Sequence, residues 1–439
     1  MNNKPFSKQK PAAPPAAGRA AKRVHIVTFG CQMNEADSEG IAAAFRRRGY
    51  ALTDDLKKAD AVVVNTCTVR QKAEDKAISQ IGRLRIWKEK RPEGKLFVVG
   101  CAAQKLGERN IKNRFSFVDE VVGAKSIETI DEVIGKYFGD WIPASAGMTE
   151  GAHQNIYRSP QTAYVTIMRG CSHKCSYCIV PAVRGPAVFL SPDAILKDAA
   201  EKLQAGAKEI VLLGQTVNAY RHGKTTFSEL LKKVLALPGL GRLRFMSPHP
   251  LYFDKAFEEL LAAEPRLARH IHLPAQSGSD KILKAMRRGY TSGEYLDLIN
   301  RLREAAPGLA VSTDFIVGYP GETEKDFKDT LRLVEEGRFS LAYCFKYSPR
   351  TDKPEMAAAI SGTVMETRLE KLLAAVKENS RLVLNERIGK IEEVLFETET
   401  YGRASGNFAV RVKAGGMPGR MAAVLVSGAE KNTLNGKLQ

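Results

Sequence analysis

Three cysteines that lie close together in the sequence form the clearest chemical motif of the chain. Cys171, Cys175 and Cys178 have the spacing C-x3-C-x2-C within the segment GCSHKCSYCIVP. Three thiolates on one short loop can surround a single metal centre; zinc is one candidate, but a structural zinc site usually requires four ligands. His173 could complete such a site, yet its position between the first two cysteines is more typical of a loop residue. Three thiolates also suit a 4Fe–4S cluster with one iron left open for a reactive cofactor.

A second group of three cysteines is dispersed in sequence but shares one position relative to predicted strands. Cys31 follows VHIVTFG, Cys67 follows AVVVNT and Cys101 follows LFVVG, and each run has the composition of a buried strand. Because the carboxyl ends of parallel strands share one edge of an open sheet, we expect these cysteines to converge and hold a second metal centre. Three ordinary buried cysteines are the alternative, since free cysteine is among the most buried residue types.

Length and composition restrict the class of protein. The 439 residues are 44% hydrophobic and 26% charged, as expected for a soluble globular protein of about three domains. Seven cysteines in so long a chain disfavour a disulfide scaffold. No apolar run approaches the roughly 18 residues of a membrane helix.

The seventh cysteine, Cys344, lies inside the predicted strand LAYCFKY and is expected to pack in the core.

The net charge of +18 favours an anionic partner such as RNA or DNA, but the charge is not concentrated in one module. Residues 1–23 carry six basic side chains and no acidic one, whereas the chain from Lys377 onward carries ten basic and seven acidic. The first segment lacks the apolar core of a secretory signal. We interpret it as a disordered basic tail, with an organelle transit peptide as the less favoured alternative.

The elements that must position the cysteines alternate between strands and helices. Strands are predicted over 24–30, 61–66 and 96–100, with helices over 37–48 and 72–90 between them, a pattern typical of a parallel sheet. A second series follows, with strands over 163–168, 209–213, 243–246, 270–273, 310–317 and 340–347 and helices over 192–205, 227–236, 294–305 and 324–336. Six β/α units are too few for a closed eight-fold barrel and therefore predict an open, partial one. A helix near 365–385 precedes short alternating strands over 392–396, 408–412 and 422–426, which predict a small all-β module.

The predicted fold class is therefore α/β with an all-β module at the end. The predicted organisation is a basic tail over 1–22, a parallel α/β domain over 23–140, a linker over 141–160, a partial (β/α)6 barrel over 161–376 and a C-terminal β barrel over 377–439.

A three-cysteine loop on a partial β/α barrel resembles the radical S-adenosylmethionine superfamily. The segments around Cys31, Cys67 and Cys101, together with several farther along the chain, further resemble the methylthiotransferases, radical enzymes that carry two 4Fe–4S clusters. The matching segments are TFGCQMNEADSE, NTCTVRQKAEDKA, VGCAAQ, LLGQTVNAY, HLPAQSGSD, MRRGYT, DFIVGYPGETEKDF and YSPR. The resemblance covers residues 23–439, and the last module resembles the family's RNA-binding TRAM domain. It implies one cluster on Cys171, Cys175 and Cys178 that binds S-adenosylmethionine, and an auxiliary cluster on Cys31, Cys67 and Cys101.

The resemblance also implies a substrate. Gln32-Met33-Asn34 and the segment VRQKA at 69–73 are the variants of the branch that methylthiolates carbon 2 of N6-dimethylallyladenosine beside the tRNA anticodon. S-adenosylmethionine would serve twice, as methyl donor to a sulfur on the auxiliary cluster and as source of a 5′-deoxyadenosyl radical. The implied partners are tRNA, an electron donor and a sulfur or iron–sulfur supply system, for a cytoplasmic monomer without membrane attachment.

Two kinds of alternative stay open. The same chemistry could act on threonylcarbamoyl-adenosine tRNA or on a ribosomal protein, whose enzymes differ at these two segments. A non-catalytic iron–sulfur electron carrier with an RNA-binding module is the second kind, and the open coordination site and the barrel argue against it.

Other candidate residues follow barrel strands. Gln215 ends the second barrel strand, where the superfamily often contacts the methionine moiety, and is predicted to bind S-adenosylmethionine. Gln276, Ser277 and Asp314 lie at later strand ends, where each could bind a ligand or cap the following helix. The glycines of the turn at 318–322 would let backbone approach a ligand.

Two segments depart from the family pattern. The stretch from Pro186 to Pro192 is apolar where the family usually has charged residues, which puts polar contacts near the cofactor in doubt. Pro248 stands where the family tends to have serine before His249, and we assign that histidine no role.

Overall fold

The computed structural model describes residues 22–139, 161–350 and 360–439. The predicted linker and all but the last residue of the predicted tail therefore lie outside the described residues. Within them the chain forms two compact units. The first contains residues 22–29, 37–67 and 71–139, and the second contains residues 30–36, 68–70, 161–350 and 360–439.

A five-stranded parallel sheet forms the first unit. Its strands are β1 (Arg23–Thr28), β2 (Ala51–Leu52), β3 (Ala61–Thr66), β4 (Lys95–Gly100) and β5 (Glu120–Gly123), in the order β2-β1-β3-β4-β5. The helices of this region are α1 (Gln32–Arg46), α2 (Gln71–Arg83), α3 (Arg85–Lys90), α4 (Cys101–Leu106), α5 (Glu108–Arg114) and α6 (Ile130–Phe138). The central strand β3 is buried along its whole length. Val63 packs in one apolar cluster and Val62 and Val64 in another, because alternate residues of a strand face opposite sides of the sheet.

The three strands predicted for this region are confirmed, and the sheet has two further edge strands, β2 and β5, that were not predicted. The prediction of one helix over 72–90 is wrong: α2 and α3 are separate helices. The break falls at Leu84, which lies between the two helices with a φ of −70° and a ψ of −8°.

The second unit contains the remaining strands and helices. The strands are β6 (Thr162–Thr166), β7 (Met168–Arg169), β8 (Val188–Phe189), β9 (Glu209–Leu213), β10 (Arg221–His222), β11 (Thr225–Thr226), β12 (Arg242–Phe245), β13 (His270–His272), β14 (Ala310–Val317), β15 (Leu341–Lys346), β16 (Ile391–Phe396), β17 (Tyr401–Ala404), β18 (Ala409–Val412), β19 (Met421–Glu430) and β20 (Thr433–Leu438). The helices are α7 (Val180–Arg184), α8 (Pro192–Gln204), α9 (Phe227–Leu235), α10 (Lys255–Ala263), α11 (Asp280–Ala285), α12 (Ser292–Ala305), α13 (Glu324–Gly337) and α14 (Gly362–Asn385).

Six parallel strands of the second unit form the predicted partial barrel. They make two three-stranded sheets, β12-β9-β6 and β13-β14-β15, which a parallel bridge between Leu243 and Leu267 connects. One large apolar cluster lies between these strands and their helices; it includes Val311 and Phe315 of β14. Cys344 packs against this cluster, as predicted.

A closed barrel of five strands, in the order β16-β17-β18-β20-β19, ends the chain. It docks on the partial barrel through arginines of β12. The Arg242 guanidinium donates to the carbonyl oxygen of Arg403 at 3.1 and 3.2 Å, and Arg244 donates to that of Ser405 at 3.4 Å. The three-part α/β prediction is therefore confirmed as an architecture, while the domain boundaries themselves stay predictions. No helix in the described ranges has both the length and the apolar character needed to cross a membrane.

Candidate metal centre

The three-cysteine loop begins directly after β7 and is held by the hairpin that β7 forms with β8. The Cys171 amide donates to the carbonyl oxygen of Gly185 at 3.0 Å. Gly170 has a φ of 74°, and a Cβ there would collide with the carbonyl oxygens of Gly185 and Pro186. Glycine is therefore required for the loop to approach this segment so closely.

The apolar stretch from Pro186 to Pro192 supports the loop. The Ala187 amide donates to Ser172 Oγ at 3.1 Å, and the Phe189 ring meets the Tyr220 ring edge-on at 5.5 Å. Strand β8 pairs antiparallel with β7. In this chain the stretch therefore positions the first cysteine by backbone pairing and apolar packing.

The second half of the loop is fixed at Ser176. Its amide donates to the carbonyl oxygen of Met286 at 3.2 Å, and its hydroxyl lies 2.8 Å from the Tyr319 hydroxyl. The Tyr319 hydroxyl also donates to the carbonyl oxygen of Ala285 at 3.1 Å. The turn at 318–322 therefore anchors the loop, which is a structural use of a segment that we considered for ligand contact.

Each of the three thiols has its own polar partner. Cys171 Sγ lies 3.4 Å from Thr216 Oγ1, the Val180 amide donates to Cys178 Sγ at 3.4 Å, and Arg288 donates to Cys175 Sγ at 3.4 Å.

The pKa of Cys178 is raised to about 12, chiefly by burial and also by repulsion from the thiols of Cys175 and Cys171, although the Val180 amide acts to lower it. Burial and mutual repulsion disfavour three thiolates at this site unless a cation compensates their charge. A bound metal supplies that charge, and its cysteine ligands are deprotonated. The polar partners of the three sulfurs fit their role as ionised ligands of a positively charged cluster core.

Gln215 lies at the end of β9, beside Thr216. Both its amide oxygen and its amide nitrogen are buried, and neither has a hydrogen-bond partner among the described residues. Buried polar groups without partners are rare in folded proteins. The unpartnered amide fits the predicted contact with a bound polar cofactor.

Cys67 and Cys101 follow neighbouring strands of the first unit. Strands β1, β3 and β4 are adjacent and parallel, with Thr28 opposite Asn65 and Thr66 opposite Gly100 at their carboxyl ends. Both cysteines are 1% exposed. The positions predicted for them at the end of buried parallel strands are therefore confirmed.

The backbone before Cys101 is tightly constrained. Gly100 has a φ of 99°, and a Cβ there would lie 2.5 Å from the carbonyl oxygen of Thr66. Thr66 also accepts from the Ala103 amide in the first turn of α4, at 3.1 Å. The glycine thus lets the chain turn directly from β4 into the helix that Cys101 begins.

Cys31 belongs to the second unit. Its thiol donates to Asn34 Oδ1 at 3.5 Å, and it packs with Met33 beside Val211 and Leu213 of β9. Among the described residues no three His, Cys, Asp or Glu side chains are grouped closely enough to hold a metal ion. Both ligand sets therefore stay predictions.

The two histidines that were assigned no role stack on each other. The rings of His173 and His249 are 4.4 Å apart and nearly parallel, and the Leu251 amide donates to His249 Nδ1 at 3.3 Å. This packing agrees with the interpretation of His173 as a loop residue.

The candidates near the end of β13 have structural contacts. The Gln276 backbone bridges to β14, with its amide donating to the carbonyl oxygen of Asp314 at 2.8 Å. Ser277 accepts from the Ser279 amide at 3.2 Å, and Ser279, not Ser277, caps α11.

Sequence reasoning missed a polar group on the barrel strands. Ser312 Oγ lies 2.9 Å from both His270 Nε2 and His272 Nδ1, and His272 Nε2 lies 3.5 Å from Asp314 Oδ2. The sequence feature that could have indicated this group is the alternation His-x-His at His270 and His272, because alternate residues of a strand place their side chains on the same face. Asp314 was a candidate, but its partner His272 was not.

Two aromatic residues and an arginine belong to the same part of the second unit. Tyr343 is paired with Asp314 across β14 and β15 and is 44% exposed. The Arg70 guanidinium lies 5.8 Å from the Tyr343 ring and 5.4 Å from the Phe345 ring. This surface therefore combines aromatic rings that could stack on a ligand with the polar atoms of His272 and Asp314, which could form hydrogen bonds to it.

Comparison with known proteins identifies two family models and many relatives. Residues 165–334 match the Radical SAM superfamily, and residues 23–123 match the Uncharacterized protein family UPF0004. A tRNA-2-methylthio-N(6)-dimethylallyladenosine synthase of Endomicrobium trichonymphae is 42% identical over 85% of this chain and 88% of its own length. That of Campylobacter hominis is 40% identical over 95% of this chain and 99% of its own length.

Solved structures show the same fold at low sequence identity. The radical S-adenosylmethionine methyltransferase TsrM from Kitasatospora setae is 14% identical, with a TM-score of 0.56, over 74% of this chain and 73% of its own. The cobalamin-dependent radical enzyme OxsB has a TM-score of 0.51 over 82% of this chain and 56% of its own.

Proposed function

Because this chain belongs to the tRNA-2-methylthio-N6-dimethylallyladenosine synthase family of radical S-adenosylmethionine enzymes, we propose that it methylthiolates carbon 2 of N6-dimethylallyladenosine beside the anticodon of tRNA. The observation that carries the proposal is the loop of Cys171, Cys175 and Cys178, in which every thiol has its own polar partner.

The residues that would hold the first 4Fe–4S cluster are these three cysteines, and Gln215 would contact S-adenosylmethionine. When bound, the cluster and S-adenosylmethionine supply one-electron chemistry that reaches a C–H bond which acid–base catalysis cannot activate. Thr216 orients the Cys171 thiol from the end of β9. The hairpin of β7 and β8 and the contact of Ser176 with Tyr319 keep the loop in place while substrates exchange.

A second 4Fe–4S cluster would be held by Cys31, Cys67 and Cys101. The adjacent parallel strands β1, β3 and β4 support this assignment, because each leads toward one of the three cysteines. The burial of Cys67 and Cys101 supports it further, since burial shields a cluster from water and oxygen.

The substrate assignment is supported by the names of the relatives and by the chemistry of the barrel residues. Tyr343 and Phe345 offer aromatic faces for a base, and His272 and Asp314 offer hydrogen-bonding atoms for its edge. The C-terminal closed barrel would bind the surrounding tRNA, as the predicted TRAM domain. An electron donor, a sulfur supply system, a cytoplasmic location, a monomeric state and the predicted domain boundaries belong to the same proposal.

Iron and sulfide counts after anaerobic reconstitution test the cluster assignment. We expect about eight irons per chain, as two four-iron clusters require, falling to about four when Cys31, Cys67 and Cys101 are replaced by alanine. Cys344→Ala is the matched control, because the partly buried Cys344 packs against the apolar cluster of the barrel and its replacement should leave the count unchanged. An unchanged count in the triple variant would remove the second cluster from the proposal.

Nucleoside mass spectrometry tests the substrate. tRNA from a strain that lacks the gene should contain N6-dimethylallyladenosine without its methylthio group, and the intact gene should restore that group. Restoration of a methylthio group on threonylcarbamoyl-adenosine or on a ribosomal protein instead would contradict the proposal. Reconstituted protein that cleaves no S-adenosylmethionine under reduction would favour an electron carrier.

A further inference from the structure

We infer that Arg288 is a positioning residue for the metal centre at the three-cysteine loop: its guanidinium orients the Cys175 ligand and stabilises the reduced, more negative state of the cluster. The inference rests on the cluster proposed above. It concerns a residue that is outside the cysteine motif and far from it in sequence.

The guanidinium of Arg288 is held in one orientation by neutral partners. Nε donates to the Tyr290 hydroxyl at 2.9 Å and Nη2 donates to the carbonyl oxygen of Pro274 at 3.1 Å. Nη1 donates to Cys175 Sγ and to the Tyr177 hydroxyl, each at 3.4 Å. All three nitrogens are therefore used, and the one that faces the loop donates to a cysteine sulfur.

The charge of Arg288 is buried without a carboxylate. The residue is 6% exposed, and within the described chain no salt bridge joins it to an Asp or Glu. Burying a cation is costly unless an anion compensates it. Arg368 on α14 is similarly buried, but its positive charge is compensated in the usual way, by an ion pair with Glu322 at 2.6 Å.

The anion that Arg288 lacks is supplied by the proposed cluster. A 4Fe–4S core with three thiolate ligands carries a net negative charge, and one added electron increases it. Hydrogen bonds to the sulfurs and nearby charge set the reduction potential of such clusters. A fixed cation 3.4 Å from one ligand sulfur therefore makes reduction easier.

A redox titration monitored by electron paramagnetic resonance tests the inference on the reconstituted full-length chain. The Cys31/Cys67/Cys101→Ala background leaves only the loop cluster in the signal. In that background, Arg288→Met should shift the midpoint potential downward, and Arg288→Lys should shift it less because the charge is kept. Arg287→Met is the matched control: it removes the same charge from an exposed neighbour and should leave the potential unchanged.

The outcomes separate this inference from the proposed function. A chain that binds no iron at the loop refutes the cluster itself. A chain that binds iron normally, with the same potential in Arg288→Met as in the unsubstituted background, overturns only the role of Arg288. If Arg288→Met folds but loses its iron, recovery of iron in Arg288→Lys supports the role of the charge. Equal loss in both variants overturns that role.

Discussion

Glu322 and Arg368 form a buried ion pair 2.6 Å long, with side chains 2% and 8% exposed, between the turn after β14 and helix α14. Arg368 also donates to the Glu322 carbonyl oxygen at 3.2 Å, and Glu322 accepts from the Gly318 amide at 3.1 Å. The turn that carries Tyr319, which contacts the cysteine loop, is thereby fastened to a long helix.

Breaking this pair should destabilise the second unit strongly. We expect Arg368→Ala to lower the free energy of unfolding by about 3–5 kcal/mol, because it leaves a buried carboxylate without its partner. Urea denaturation measures the loss. The control is Arg381→Ala on the same helix, which breaks an exposed pair with Glu378 and should have no measurable effect. Equal effects of the two variants would contradict the importance of burial.

Ionised Asp326 should stabilise the folded state, so that the free energy of unfolding falls as the pH is lowered in the acidic range. Burial opposes its ionisation, but donors from Ser279, Thr323 and Lys281 outweigh burial and hold the pKa of its carboxyl well below the ordinary 3.8. Because the folded pKa is lower than the unfolded one, its contribution is complete above about pH 4 and is lost as the pH falls further.

The pH dependence can be measured by denaturation of the apo-protein between neutral pH and the acid limit. Asp326→Asn should flatten the decline in stability below about pH 4. Thr323→Ala, which removes one donor hydroxyl, should give an intermediate slope. A variant as acid-sensitive as the unsubstituted protein would show that other carboxylates control this range.

Gly100 should be irreplaceable before Cys101. Alanine at a positive φ costs of order 1–3 kcal/mol, and at Gly100 the added Cβ also meets the Thr66 carbonyl oxygen at 2.5 Å. Gly107→Ala is the matched control, since Gly107 also has a positive φ but no heavy atom of the described chain lies within 4 Å of the added carbon. Thermal unfolding should show a larger loss for Gly100→Ala, together with fewer irons per chain. Equal losses would mean that the clash is relieved by backbone movement.

Gln215→Ala should separate cofactor affinity from stability. Its amide has no partner among the described residues, so its removal should not lower the melting temperature. If the amide binds S-adenosylmethionine, affinity should fall about ten-fold, as expected for one or two hydrogen bonds of roughly 1 kcal/mol each. Anaerobic equilibrium dialysis measures this. Gln204→Ala, an exposed amide at the end of α8, should change neither quantity. A loss of stability without a loss of affinity would make Gln215 a packing residue.

The central strands were predictable because they are rich in apolar and β-branched residues, and β3 and β9 are buried along their whole length. β3, β9 and β14 have the predicted ends. The edge strand β2 and the C-terminal strands β17 and β20 were missed, because two residues or glycine-containing segments carry little hydrophobic pattern.

The cysteine positions were predictable, but their surroundings were not. Arg288 and Cys175 are 113 positions apart. No local sequence pattern predicts the contact between Arg288 and Cys175. It depends on how the connection between α11 and α12 lies against the cysteine loop. Likewise, the sequence of the apolar stretch at 186–192 suggested lost contacts, whereas its pairing with β7 gives it a supporting role.

The docking of the C-terminal barrel has a consequence for how this junction tolerates mutation. Arg242 and Arg244 supply the side chains, but the acceptors are main-chain oxygens of residues 403 and 405. Every amino acid provides such an oxygen, so substitutions in the C-terminal barrel can change the surface of that strand without deleting these bonds. For these bonds the side-chain requirement lies on the partial barrel, in Arg242 and Arg244, whereas the Ser405 hydroxyl, which accepts from the Arg269 amide at 2.9 Å, does depend on the residue in the C-terminal module. The C-terminal barrel can therefore change most of its surface residues and still keep the two arginine contacts that attach it.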